Sequence, residues 1–193
     1  MSAKYELTQE TIVCDGTVLH RIRALKDFGS VYAGDLGGYI QSENNLSQEG
    51  TCWVSDNAQV YDDARVSENA QVFDNARVFG SAHVSGNARV FCRAQVFDNA
   101  RVFGSARVFG SAQVYRKALV YDESQVSEAA QVSGNVQICD NAQVSGEAHI
   151  SGKARVFENA RVYGSALIFG HAMISGLARV FGDARIYRYM IVN

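Results

Sequence analysis

The sequence predicts an all-β fold: a single-stranded, three-faced parallel β-helix of about eight regular coils behind an N-terminal β-hairpin cap. Three observations carry this. Stepping by six from Val54 through Val60 and Val66 to Ile186 and Val192, all 24 positions are Val or Ile, with no insertion. Two residues before each, from Ala58 onward, the position is Ala in 20 of 23 cases, the exceptions being Ser124, Val136 and Met190. Two residues after each, it is Gly in 11 of 23 cases and Asp or Glu in nine.

Each observation has a physical reading. A period of 3.6 would scatter these positions around a helix, whereas alternation puts Ala and Val on one side of an extended strand and the intervening Arg or Gln on the other. The Gly-rich position, often followed by Asn or Ser, is turn chemistry, because Gly tolerates φ > 0 where branched residues do not. Three strands and three corners then close one 18-residue coil, and coils stack through parallel ladders. Proline is absent, as suits a ladder with few places for a residue lacking an N–H.

Val78-Phe79-Gly80-Ser81-Ala82 and Val102-Phe103-Gly104-Ser105-Ala106 resemble the hexapeptide repeat of left-handed β-helices, over about three quarters of the chain. A left-handed coil is favoured over a right-handed triangular helix of the bactofilin type by the shortness and regularity of the repeat. One departure stands out: the residue after the aliphatic one, usually small or acidic in that family, is here Phe nine times and Tyr five. The fold hosts acyl and nucleotidyl transferases, γ-class carbonic anhydrases and proteins without known activity, so it implies no single function.

The chain divides into residues 1–50, a hairpin cap with an irregular first coil, and the hexapeptide-repeat helix 51–193. Asp15-Gly16 between Thr11-Ile12-Val13 and the run Val18–Ile22 signals a hairpin, which would shield the strand edge at the start of the stack. In residues 26–50, Ile40 and Leu46 fall in the Ala register, but Gln48 stands where an aliphatic residue is expected. The segments Ala33-Gly34-Asp35-Leu36-Gly37-Gly38-Tyr39 and Asn45-Leu46-Ser47-Gln48-Glu49-Gly50, with Trp53-Val54, resemble the opening of YdcK-like proteins of bacteria and phages. That resemblance implies the solenoid and a transferase-like superfamily of no established substrate.

A net charge of −2 without basic or acidic runs indicates no nucleic-acid partner. The N-terminus lacks a signal-like apolar stretch and no run reaches membrane-spanning length, so the expectation is a cytoplasmic protein that does not meet a membrane. Cys14, Cys52, Cys92 and Cys139 lack metal-site spacing and read as free thiols, Cys52 facing inward, Cys92 and Cys139 outward.

Sorting every third hexad onto one face stacks Phe73, Phe91 and Phe109 on the first face, Phe79, Phe97 and Tyr115 on the second, and Phe103 and Tyr121 on the third, with Arg89, Arg101 and Arg107 beside them. From Ser127 to Ser151 small residues replace the rings beside Gln125, Gln131, Gln137, Gln143 and His149, a polar waist that reads as a groove or as a seam between duplicated blocks. Leu167, Met173 and Ile191 are outward and apolar, with Leu177 at a corner, which suits association.

His20, His83, His149 and His171 do not converge within one chain, no phosphate loop is present, and no cofactor or metal is expected. The sequence therefore favours a non-catalytic interaction or assembly protein whose surface is Phe73, Phe79, Phe91, Phe97, Phe103, Phe109, Tyr115, Tyr121, Met173 and Ile191. Its partner would be a second copy, as dimer or trimer, or another protein, including a host protein if the chain is of phage origin. The alternative is a hexapeptide acyltransferase with a site between subunits. The run Tyr187–Asn193 is still in register, which leads to the expectation of an open edge and a homo-oligomer.

Overall fold

The structure is a computed structural model describing residues 3–187 together with Ile191 and Val192. Met190, with Arg188, Tyr189 and Asn193, lies outside these. The hairpin comprises β1 (Tyr5–Cys14) and β2 (Thr17–Ala24), joined by Asp15-Gly16, both at positive φ. β2 pairs antiparallel with β3 (Leu36–Ile40), and the hexads follow as two-residue strands, beginning with β4 (Trp53–Val54), β5 (Gln59–Val60) and β6 (Arg65–Val66). Each later strand lies parallel to the one 18 residues before it, as Val60 to Val78 and Val78 to Val96. The result is a solenoid of about eight turns with three sheets: eight strands on the first face, built on β4, eleven on the second, which β1, β2 and β3 extend beyond β5, and eight on the third, built on β6.

The expected register holds throughout the hexads. Between coils, the N–H of each outward Arg or Gln from Gln59 to Arg161 donates to the carbonyl of the residue at the Ala position one coil on, as Arg89 to Ala106 at 2.9 Å. The aliphatic and Ala positions from Val54 to Ile174 are sealed from solvent in one continuous core. Burying each Val this way contributes roughly 1.5–3 kcal/mol. Ser124, an Ala-type exception, stays inside because its hydroxyl donates to Tyr121 O (2.7 Å) and Ile138 O (3.2 Å).

The first coil corrects one sequence expectation. Ile40 aligns with Val60 and Leu46 with Val66, so both fill Val positions, not Ala positions. These pairs are 20 residues apart, whereas Val54 and Val72 are 18 apart, so the segment between Leu46 and Val54 absorbs two extra residues. Asn45 repairs the ladder there. Its backbone N–H is turned to Ser42 O, and its side-chain amide donates instead to Ala64 O and Asp62 O, both at 2.9 Å. The Gly37-Gly38 pair of β3 permits close approach: a Cβ on Gly37 would sit 2.6 Å from Val54 O, and one on Gly38 2.6 Å from Ala58 O.

Lys4 and Tyr5 close the N-terminal end of the core. Lys4 Nζ, buried, donates to Cys52 O (3.1 Å), Glu49 O (3.3 Å) and Cys52 Sγ (3.2 Å), and the Tyr5 hydroxyl to Leu46 O (2.7 Å). Burial pushes the Lys4 ammonium below its ordinary range and the Cys52 thiol above its own. At its other end the hairpin is clasped to the second face: the Tyr61 hydroxyl donates to Asp15 Oδ2 (2.9 Å), and Arg77 bridges Asp15, Tyr61 and Cys14 Sγ.

All 22 described corners have positive φ, eleven at Gly and eleven at other residues. Every Asp or Glu among them serves a second purpose. Nine such carboxylates each accept the backbone N–H of the corner residue one coil on, for example Asp74 N–H to Asp56 (3.2 Å), Glu158 N–H to Asp140 (2.8 Å) and Gly146 N–H to Glu128 (2.6 Å). Acidic corners close to φ near 54–60°, whereas Gly104 sits at 70°, where a Cβ would lie 2.8 Å from Asp122 N.

Gly104→Val should therefore lower stability by about 1 kcal/mol or more, read as a drop in thermal midpoint, while Gly104→Asn, able to tighten to the acidic-corner geometry, should stay close to wild type. Equal midpoints for Val and Asn would refute the corner assignment. The clasp gives a second expectation. The Tyr61 hydroxyl bond, then Arg77, hold the Asp15 carboxyl below the usual carboxylate range. Its contribution is complete above the unfolded value near 3.9 and disappears as pH falls through the lowered folded value. Amide exchange of β1 and β2 should accelerate in that acid window in wild type, and Asp15→Asn should abolish the pH step; an unchanged step in the variant would refute the clasp.

Candidate interaction surface

The outward side chains inherit the coil spacing. On the first face Phe73, Phe91 and Phe109 stack with centroids 4.8 and 5.0 Å apart. On the second, Phe79, Phe97 and Tyr115 stack at 4.9 Å, and Tyr61 extends the ladder at 5.2 Å; on the third, Phe103 and Tyr121 lie 5.0 Å apart. Sequence reasoning stopped short of two further stacks in the same hexad position, Tyr163–Phe181 (5.4 Å) and Phe169–Tyr187 (5.1 Å). Because ring faces are occupied by the next ring, mainly edges face outward. Arg89 lies over Phe73 and Phe91 (5.0 and 5.7 Å), Arg107 over Phe91 and Phe109 (5.7 and 5.6 Å), and Arg101 over Phe103 (5.6 Å).

Charge dispersed along the sequence is segregated in space. The 24 outward strand positions from Trp53 to Ile191 hold nine Arg, eight Gln, two His and no carboxylate. The acids sit at the corners, nine of them engaged by backbone amides. Among the described residues three ion pairs occur, Arg21–Glu10, Arg23–Glu6 and Arg77–Asp15, so Arg77 alone of the nine is paired. The six-residue period keeps acids off the outward strand positions, while the corners hold the acids together with Arg93, Arg116, Lys117 and Lys153.

The polar waist is two coils wide on the first face, at Ser127 and Ser145, and on the second, at Ser133 and Ser151, but one coil wide on the third, at Cys139. Cys139, expected to face solvent, is only 4% exposed, because it lies in register between Tyr121 and Phe157. Its contact with the Tyr121 hydroxyl, with burial, leaves that phenol pushed up to about 12, and burial raises the thiol. Asp122, Cys139 and Asp140 present ligand atoms within 4.8 Å of one another, the one such cluster among the described residues; two of its carboxylates already accept corner amides. All four cysteines are free.

The histidines stay apart: His83 is on the third face and His149 on the second. Burial, then Arg65 and Arg101 on either side, lowers the His83 imidazole below its ordinary range. Met173 and Ile191 are in register on the third face, Ile191 65% exposed and Met173 half-buried, as is Leu167 on the second; Leu177, at its corner, is 80% exposed. A cavity of about 250 Å³ lies beneath the 29–31 loop against Trp53, Gln71, Phe73 and Arg89.

The YdcK beta solenoid repeat matches residues 58–72, 70–86 and 94–110. Those three stretches of the solenoid are therefore similar to YdcK-type repeats. An Escherichia coli (strain K12) protein described as the uncharacterized acetyltransferase YdcK is 43% identical over 61 residues, a stretch covering 28% of this chain and 19% of that protein. The matched stretches include Phe73, Phe79, Phe97 and Phe103 of the ladders, while Phe91, Tyr115 and Tyr121 lie outside them. No helix among the described residues is long and apolar enough to cross a membrane.

Proposed function

We propose that this YdcK-type solenoid is a non-catalytic scaffold that presents aromatic and Arg/Gln ladders to a protein partner or to a second copy. The observation that carries this is the distribution of charge: eight Arg without an ion pair among the described residues and no acid at the outward strand positions, with nine carboxylates committed to the corners. Such a surface is suited to recognition, since exposed Arg beside aromatic rings is the composition enriched at interfaces. The exposed apolar group around Met173, Leu177 and Ile191 supports self-association as dimer or trimer, and four free thiols suit a cytoplasmic setting.

A second reading, acetyl transfer between subunits, draws on the name of the E. coli relative and on His83, whose lowered pKa keeps the imidazole neutral and able to accept a proton. One experiment separates the two. Purified protein, sized by native mass spectrometry, is incubated with acetyl-CoA and a panel of amine and hydroxyl acceptors, and CoA release is followed chromatographically. The scaffold reading expects release no faster than in buffer, and an oligomer weakened by Ile191→Lys with Met173→Glu. Turnover abolished by His83→Ala would replace it with the transferase, and a strictly monomeric wild type would remove self-association.

A further inference from the structure

We propose that the first face is a docking strip for an extended acidic segment of a partner protein; this rests on the scaffold reading. From coil to coil its outward positions run Arg89, Arg107, Gln125, Gln143, Arg161, Arg179. Arg89 stands directly opposite Arg107, and Arg161 opposite Arg179. Like charges opposed across neighbouring strands are destabilising. The other faces avoid the arrangement: on the third, His83 separates Arg65 from Arg101, and on the second Arg77 is tied to Asp15. Gln fills eight equivalent positions, so the fold does not need Arg there. Among the described residues neither Arg pair has a carboxylate partner, and Arg107 Nε is buried without an acceptor. An anionic ligand relieves both repulsions, and the planar guanidinium fork matches a carboxylate.

The rest of the strip selects a peptide. Between the Arg pairs, Gln125 and Gln143 lie in register and offer amides that both donate and accept, as a peptide backbone requires. Rings are missing there: from Phe109 to Tyr163, past Ser127 and Ser145, is three coil steps, about 14 Å at the usual strand spacing. The face itself is three extended residues wide, roughly 10 Å. Acidic corners flank it on both sides, Asp122, Asp140 and Glu158 on one and Asp74, Glu128 and Glu147 on the other. Those rims repel a broad polyanion such as a duplex and leave room for a narrow ligand with a few carboxylates. The Arg pairs are centred four coils apart, about 19 Å, which is about six residues of extended chain.

The test is fluorescence anisotropy of a fluorescein-labelled octapeptide with two Glu residues at each end and Ser-Tyr-Ser-Gly between, at 50 mM and 300 mM NaCl. Wild type should bind, with affinity reduced by the higher salt. Arg89→Gln, Arg107→Gln, Arg161→Gln and Arg179→Gln combined should weaken binding at least tenfold, with the thermal midpoint held or raised. The third-face control, Arg65→Gln, Arg101→Gln and Arg155→Gln, should bind as wild type. Absent binding, equal loss in both variants, or tighter binding of a labelled uridine decamer would each overturn the assignment. None of these touches the scaffold reading, which the acetyl-CoA measurement judges separately.

Discussion

From Trp53 to Leu167 each outward backbone N–H donates to a carbonyl one coil further along, and that bond recurs without interruption only because every regular coil contains the same number of residues, 18. From this follow the rest of the molecule's features. Val falls on Val and Ala on Ala, which seals a core too thin to exist in a single coil. Rings fall on rings at 4.8–5.0 Å along the ladders between Phe73 and Tyr121. On the first face Arg falls on Arg. Stacked like charge is a liability for stability, and the fold handles it differently at the two sites: corner carboxylates are stabilised by the amides of the next coil, whereas facing Arg residues rely on aromatic rings and solvent.

That difference is where structure turns into function. An acid at a corner is part of the backbone hydrogen-bonding scheme, because its φ and its carboxylate together fix the corner above it. An Arg on a face is replaceable by Gln without loss of register, as eight positions demonstrate. The surface can therefore vary while the coil does not, and the first face uses that freedom to place two opposed Arg pairs around a polar trough. His83 and His149, for their part, stand on different faces.

Much of this was legible in the sequence because a period of six with a polarity period of two determines which residues meet. The ladder from Phe73 to Phe109 and the inward Cys52 follow from counting alone. What counting missed has physical causes. Ile40 and Leu46 were misplaced by two because Asn45 lets a side chain do the work of a backbone amide, so the ladder continues across an insertion that breaks the count. Cys139 was placed outward correctly by register, but its burial depends on the bulk of Tyr121 and Phe157 one coil either side. The charge segregation was hidden because an acid and an Arg three residues apart in sequence end on an edge and a face.

The coil length is open to direct measurement by cross-linking in a cysteine-free background. Gln113 and Gln131 are paired across neighbouring coils, close enough for a disulfide, whereas Gln125 and Gln131 lie on different faces. With each pair replaced by cysteines and oxidised, the account expects a disulfide between positions 113 and 131 and none between 125 and 131; the reverse pattern, or no cross-link at an 18-residue spacing, would contradict it.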